Sequence, residues 1–141
     1  MDKNISLERS NKKFEMLFKY SPVGMVMIAY KTGQILELNP TFIKSIGYSK
    51  KELLKLSIFD ITPEKYHGTI MAELDEIEKH GELGPHYKEY IRKDGTTFPV
   101  KVSGFKMIDI DGTELILGIV EDISERVEFE KKLQEAAKTD Y

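Results

Sequence analysis

Apolar residues recur along this chain at two different spacings, and the switches between them outline its elements. Across residues 3–19, Leu7, Phe14 and Leu17 stand at heptad-like intervals among Lys, Glu and Arg, which predicts an amphipathic helix. Ser21-Pro22 ends it, because the residue before a proline is pushed out of the α region. Residues 25–30 are apolar and rich in strand formers. Lys31-Thr32-Gly33 is a turn, and residues 34–38 return as a second strand, making a hairpin. Asn39-Pro40 then opens a short helix with Phe42, Ile43 and Ile46 on its apolar side and Gly47 as its stop. Ser49 with Glu52 reads as a capping box ahead of Leu53, Leu54 and Leu56, and Phe59 and Ile61 fall in a further turn.

Thr62-Pro63 repeats the cap-then-proline signal. Tyr66, Ile70, Leu74 and Ile77 follow at helical spacing up to His80, with Gly81 as the stop. After Gly84-Pro85 the period becomes two. Residues 87–92 form one strand and residues 93–96 a turn, and Phe98, Val100 and Val102 alternate with polar positions or proline. Residues 109–112 form another hairpin turn, and residues 115–120 are so uniformly apolar that they read as a central strand. Ser124 caps a last helix whose stripe of Ile123, Val127, Glu130, Leu133 and Ala137 is narrow, as suits a two-helix seam. Two strands, a run of helices and three more strands is an α+β order: a five-stranded antiparallel sheet with helices inserted between strands two and three, flanked by N- and C-terminal helices. Such a sheet must hide at least one face, and this one carries apolar residues on both. The first helix or a second copy of the chain is the expected cover of the other face.

Composition removes several classes of function. The chain has 141 residues, enough for one domain with a core. Its 21 basic and 24 acidic residues are interspersed, with no basic face to displace counterions, so no nucleic-acid partner is expected. There is no cysteine, which excludes disulfides, thiolate metal sites and a cysteine nucleophile, and fits a reducing, cytoplasmic location. The charged N-terminus has no signal-peptide character, and no run approaches the roughly 20 apolar residues that span a bilayer. No membrane contact is expected within this segment. Nucleophile-elbow, phosphate-loop and HExxH patterns are all missing, so no catalytic residue is assigned.

Five short pieces, in this order, resemble one known family. They are Ser21-Pro22-Val23-Gly24, Asn39-Pro40-Thr41-Phe42, Gly47-Tyr48-Ser49 with Glu52-Leu53, Arg92-Lys93-Asp94-Gly95-Thr96 with Phe98, and Glu121-Asp122-Ile123-Ser124. Each is a weak word; together, over residues 14–124, the chain resembles a PAS domain with its PAC tail. The resemblance implies a sensor core over residues 21–123. It also implies a capping or dimerising helix over residues 1–20, and a signalling helix and linker over residues 124–141. An apolar cavity between sheet and inserted helices is implied, lined by Val26, Ile28, Leu38, Phe42, Ile46, Phe59, Ile70, Leu74, Tyr90, Val100, Val102, Ile116 and Gly118, with Asn39 and Tyr90 supplying polar groups. The alternative is that these side chains fill a closed core and the domain is a ligand-free dimerisation module.

The resemblance also ranks cofactors. Haem-binding members take a histidine from the longer inserted helix, which points to His67 or His80; both read more simply as surface or cap-adjacent residues. Adduct-forming flavin chemistry needs a cysteine that is not here. Asp122 and Ser124 are the expected signalling junction. A ligand or a redox change in the cavity would shift the sheet, and the shift would pass through them to the last helix and change how two such helices pair in a homodimer. Residues 137–141 resemble the linker that precedes GGDEF diguanylate cyclase domains, and a histidine kinase is the other expected output in a longer parent chain.

Overall fold

The computed structural model describes residues 3–138. Five antiparallel strands form one sheet in the order β2-β1-β5-β4-β3, with β1 Gly24–Ala29, β2 Ile35–Leu38, β3 Glu82–Ile91, β4 Thr97–Ile108 and β5 Glu114–Asp122. Helices α2 Pro40–Ile46, α3 Lys50–Leu53 and α4 His67–His80 are inserted between β2 and β3, with α1 Lys3–Tyr20 and α5 Ser124–Lys138 at the ends. The α+β architecture is as expected from the two spacings.

Local chemistry explains the junctions. Asn39 is fully buried, and its side-chain oxygen accepts from the Phe42 amide at 3.1 Å and the Met25 amide at 2.8 Å. Its amide nitrogen donates to the carbonyls of Phe18 and Val23, both at 3.0 Å. One side chain thus caps α2 and ties it to α1 and β1. Ser49 and Glu52 form the full capping box on α3. The Arg92–Thr96 turn closes through the Arg92 amide onto the Thr96 carbonyl at 2.7 Å, and the Arg92 guanidinium lies 4.3 Å from the Phe98 ring centre while Nε donates to the Ser45 carbonyl. The turn is thereby fastened to α2.

Three local expectations are corrected. β3 begins at Glu82, five residues before the expected start at Tyr87. The Gly84-Pro85 pair reads as a break, yet β3 is an edge strand, where a proline removes no inner ladder bond, and the register shift between Leu83 and His86 absorbs it. Thr62 does not cap α4: its hydroxyl donates to the Ile58 carbonyl at 2.6 Å, and a 3-10 turn over Glu64–Tyr66 precedes the helix, which has no side-chain cap. Finally, α1 packs chiefly against α2, through Phe18, instead of lying over the outer sheet face, and Leu7 and Leu17 stay exposed. Phe14 stacks on Phe18 at 5.8 Å.

Candidate functional site

Alternation along β1, β3, β4 and β5 sends Val26, Ile28, Lys88, Tyr90, Val102, Ile116 and Gly118 to the inner sheet face, under α4. They do not fill the space. A cavity of about 50 Å³ remains between this part of the sheet and the Ile70, Glu73 and Leu74 side of α4. Gly118, on the central strand β5, helps explain the gap. It carries no side chain, and a Cβ there would come within 3.2 Å of the Val26 side chain.

Of the residues expected to line a cavity, Val26, Ile28, Ile70, Leu74, Tyr90, Val102, Ile116 and Gly118 do so. Leu38, Phe42, Ile46 and Val100 pack in the adjoining solid core, and Phe59 is half-buried against that core. Asn39 faces the α1–β1–α2 junction, where its four hydrogen bonds leave nothing for a ligand. Ile58, Leu83, Ser103 and Val120 complete the wall, together with one feature that the periodicity did not disclose. Glu73 and Lys88, 4% and 5% exposed, form an ion pair at 2.7 Å inside this apolar surface. The Lys88 ammonium also lies 5.6 Å from the centre of the Tyr90 ring. Burial, reinforced by the Glu73 charge, pushes the Tyr90 phenol well above its ordinary value, so it stays protonated and neutral. The available signal was a charge of opposite sign on each apolar face: Glu73 beside Ile70 and Leu74 on the helix, Lys88 two residues before Tyr90 on the strand.

The histidines do not fit a haem ligand. His67 Nε2 is 3.1 Å from the Phe59 carbonyl and 3.0 Å from the Thr62 carbonyl. Both partners only accept, so this nitrogen carries a proton and has no lone pair for iron. His80 ends α4 and is exposed, and His86 pairs with Glu76 at 2.7 Å. That contact is the main cause holding the Glu76 carboxyl below its ordinary value. Neither His67 nor His80 lines the cavity. The cavity's volume is also far below the roughly 300–1,000 Å³ of drug-sized ligand sites. Among the described residues, no group of three or more His, Asp or Glu is placed to hold a metal ion, and no helix is long and apolar enough to cross a membrane.

The sheet connects this cavity to the last helix. Lys88 pairs in register with Val100, and Val100 with Asp122. Asp122 Oδ1 then accepts from the Ser124 amide at 2.9 Å, and the buried Ile123 donates its amide to the Pro99 carbonyl at 3.1 Å. Ser124 is the first residue of α5; its hydroxyl turns back onto Asp122, so the carboxylate, not the serine, closes the entry to the helix.

Known proteins resemble this arrangement in sequence and in shape. The sensor histidine kinase TmoS of Ectopseudomonas mendocina is 28% identical over 136 residues, covering 94% of this chain and 14% of that protein. The probable diguanylate cyclase DgcE of Escherichia coli (strain K12) is 28% identical over 125 residues, covering 84% of this chain and 11% of that protein. The chain therefore spans about a seventh or less of these two curated relatives. Among solved structures, a domain of the sensory box sensor histidine kinase/response regulator from Geobacter sulfurreducens matches with a TM-score of 0.69 at 25% identity, over 82% of this chain and 96% of that one. Residues 22–125 match the family model of the PAS domain, and with that match covering most of its length this chain belongs to the PAS domain family, the sensory module of signalling proteins.

Proposed function

We propose that this domain senses a small molecule in the cavity under α4 and transmits the binding event through β3, β4 and β5 to α5. The observation that carries the reading is the buried Glu73–Lys88 pair in the wall of an otherwise apolar cavity. Two buried charges cost several kcal/mol each in lost hydration, and an apolar pair of similar volume is often no less stable. A stability role alone therefore accounts poorly for them. The cavity volume limits the ligand. About 150 Å³ suffices for benzene, so 50 Å³ takes a molecule of a few non-hydrogen atoms, and anything larger must displace the half-buried Leu74 or Leu83. Such a displacement is what a sensor needs, since a ligand shifts the equilibrium only by its differential affinity for two packings.

The row Lys88–Val100–Asp122 is the route we assign to the signal, with residues 21–123 as sensor core and α5 as the lever. Exposed Val127, Phe129 and Leu133 on α5, with Leu7 and Leu17 on α1, support homodimerisation through the terminal helices. The output we assign is a GGDEF-type diguanylate cyclase in a cytoplasmic parent protein, supported by the relative of that kind and by residues 137–141, of which 139–141 lie outside the described residues. Histidine-kinase relatives favour the second choice of output.

Mass spectrometry of the small molecules that copurify, with a thermal-shift screen of metabolites against the purified domain, tests the sensing step. A saturable rise in Tm that disappears in Gly118→Leu is the expected result; no shift across the panel and no bound molecule would leave the ligand-free dimerisation module as the reading. Asp122→Ala should keep ligand binding within about twofold while uncoupling it from α5, read as loss of the ligand-dependent change in spin-label distances between paired helices.

A further inference from the structure

The cavity wall carries a more specific instruction about its ligand, one that rests on the sensing role proposed above. Glu73 and Lys88 stand side by side, both nearly inaccessible to solvent, and one hydrogen bond of 2.7 Å joins Lys88 Nζ to Glu73 Oε1. That bond uses one of three ammonium protons and one of two carboxylate oxygens. What the pair has left to offer is therefore two ammonium protons and the second carboxylate oxygen, in the wall of an apolar space bordered by Ile28, Ile70, Leu74 and Ile116.

The wall is neutral as a unit. A ligand carboxylate would gain Lys88 and meet the repulsion of Glu73; a ligand ammonium would gain Glu73 and meet Lys88. Either would bring a net charge into an apolar enclosure that has no second counter-charge for it, an expensive arrangement. A purely apolar ligand would leave the spare capacity of both buried ions unsatisfied and would displace any water serving them without replacing its hydrogen bonds. One functional group answers both ions with a single atom: a hydroxyl, whose oxygen accepts from the ammonium while its proton goes to the carboxylate. We infer that the ligand is a small neutral alcohol, held with its hydroxyl between Lys88 and Glu73 and its apolar body against α4. Such a ligand also acts on α4 and β3 at once, because one ion belongs to the helix and the other to the strand.

Four probes that share a three-carbon chain separate the possibilities: 1-propanol, propionate, propylammonium and 1-chloropropane. Each is titrated into the purified domain and followed by the methyl NMR shifts of Ile28, Ile70 and Leu74 and by the Lys88 side-chain resonances. The expected result is that 1-propanol binds about tenfold or more tightly than the other three, the size of one lost hydrogen bond to a charged partner. That preference should shrink to within about twofold in Glu73→Leu/Lys88→Met, which replaces both ions with apolar groups. Equal binding of 1-propanol and 1-chloropropane would overturn the hydroxyl assignment and leave the sensing cavity in place, as would a win for either charged probe. If none of the four moves a cavity methyl, the cavity is no ligand site and both readings fall. The comparison on the unaltered domain decides these outcomes even if the double variant does not fold.

Discussion

The inner face of the sheet is built in two halves, and they differ in a way that matters for function. Under α2 the space is solid. Phe42 meets Tyr90 edge-on with ring centres 6.1 Å apart, Tyr90 meets Phe98 at 6.3 Å, and Leu38, Ile46 and Val100 are buried around them. Under α4 the same strands present valines, isoleucines and a glycine, the helix brings aliphatic chains instead of rings, and a gap remains with an ion pair on its wall. Tyr90 belongs to both halves: its ring closes the aromatic stack and also lines the cavity. The contrast teaches that one continuous sheet face can be scaffold at one end and receptor at the other. The outcome depends on whether bulky rings or short branched chains meet across the layer.

Four experiments test whether the two halves differ in this way. Phe42→Ala, in the solid half, should cost about 3–5 kcal/mol, whereas Ile70→Val, over the gap, should cost about 0.5–1.5 kcal/mol. Urea denaturation at unchanged m-value checks the difference, and equal costs would mean that the halves are not distinct. Lys88→Met alone should cost about 3–5 kcal/mol by stranding the Glu73 charge, while Glu73→Leu/Lys88→Met should come back to near the unaltered stability or above it. A single variant as stable as the double would show that the pair is not buried in solution. Gly118→Ala should cost roughly 1–3 kcal/mol from crowding against Val26 and should weaken 1-propanol binding more than Ile70→Val does. Unchanged affinity there would detach the glycine from the cavity.

The smallest effect comes from an exposed pair. Glu52 donates nothing to either half of the core, yet its hydrogen bond from Lys93, at 2.7 Å, and the bond from the Ser49 amide lower its carboxyl from 4.5 to about 2. Because the folded value lies below the unfolded one, its contribution is present above pH 4.5 and is lost as pH falls through about 2, below which both forms bind the proton. Acid titration of stability should therefore be shallower between pH 4.5 and 2 in Lys93→Ala; an identical slope would mean that solvent screens the pair completely.

How much of this could be read beforehand varied by element. The Asn39-Pro40 and Ser49–Glu52 caps, the Arg92–Thr96 turn and the period-two run of β4 are local devices, and each determines its element from a few neighbouring residues. β3 was legible only from Tyr87 on, since a proline that ends a central strand is tolerated on an edge, and edge or centre is a property of the whole sheet. Ser124 had the composition of a cap, but Asp122, two residues back, took that role through the geometry of the strand end.

The residue order by itself determined the antiparallel α+β order of elements, the caps and turns that space them, and the inward alternation of the residues that border the cavity. All of these follow from contacts within a few residues or from a repeating period. Which of those inward residues leave a gap and which close it depends on how the layers pack. Volume is set by what stands opposite, and although each apolar face shows its odd charge, nothing local says that Glu73 meets Lys88, fifteen positions away. The same packing also decides that two charges share the apolar wall, because a buried ion is tolerable only when a counter-ion from another element arrives beside it.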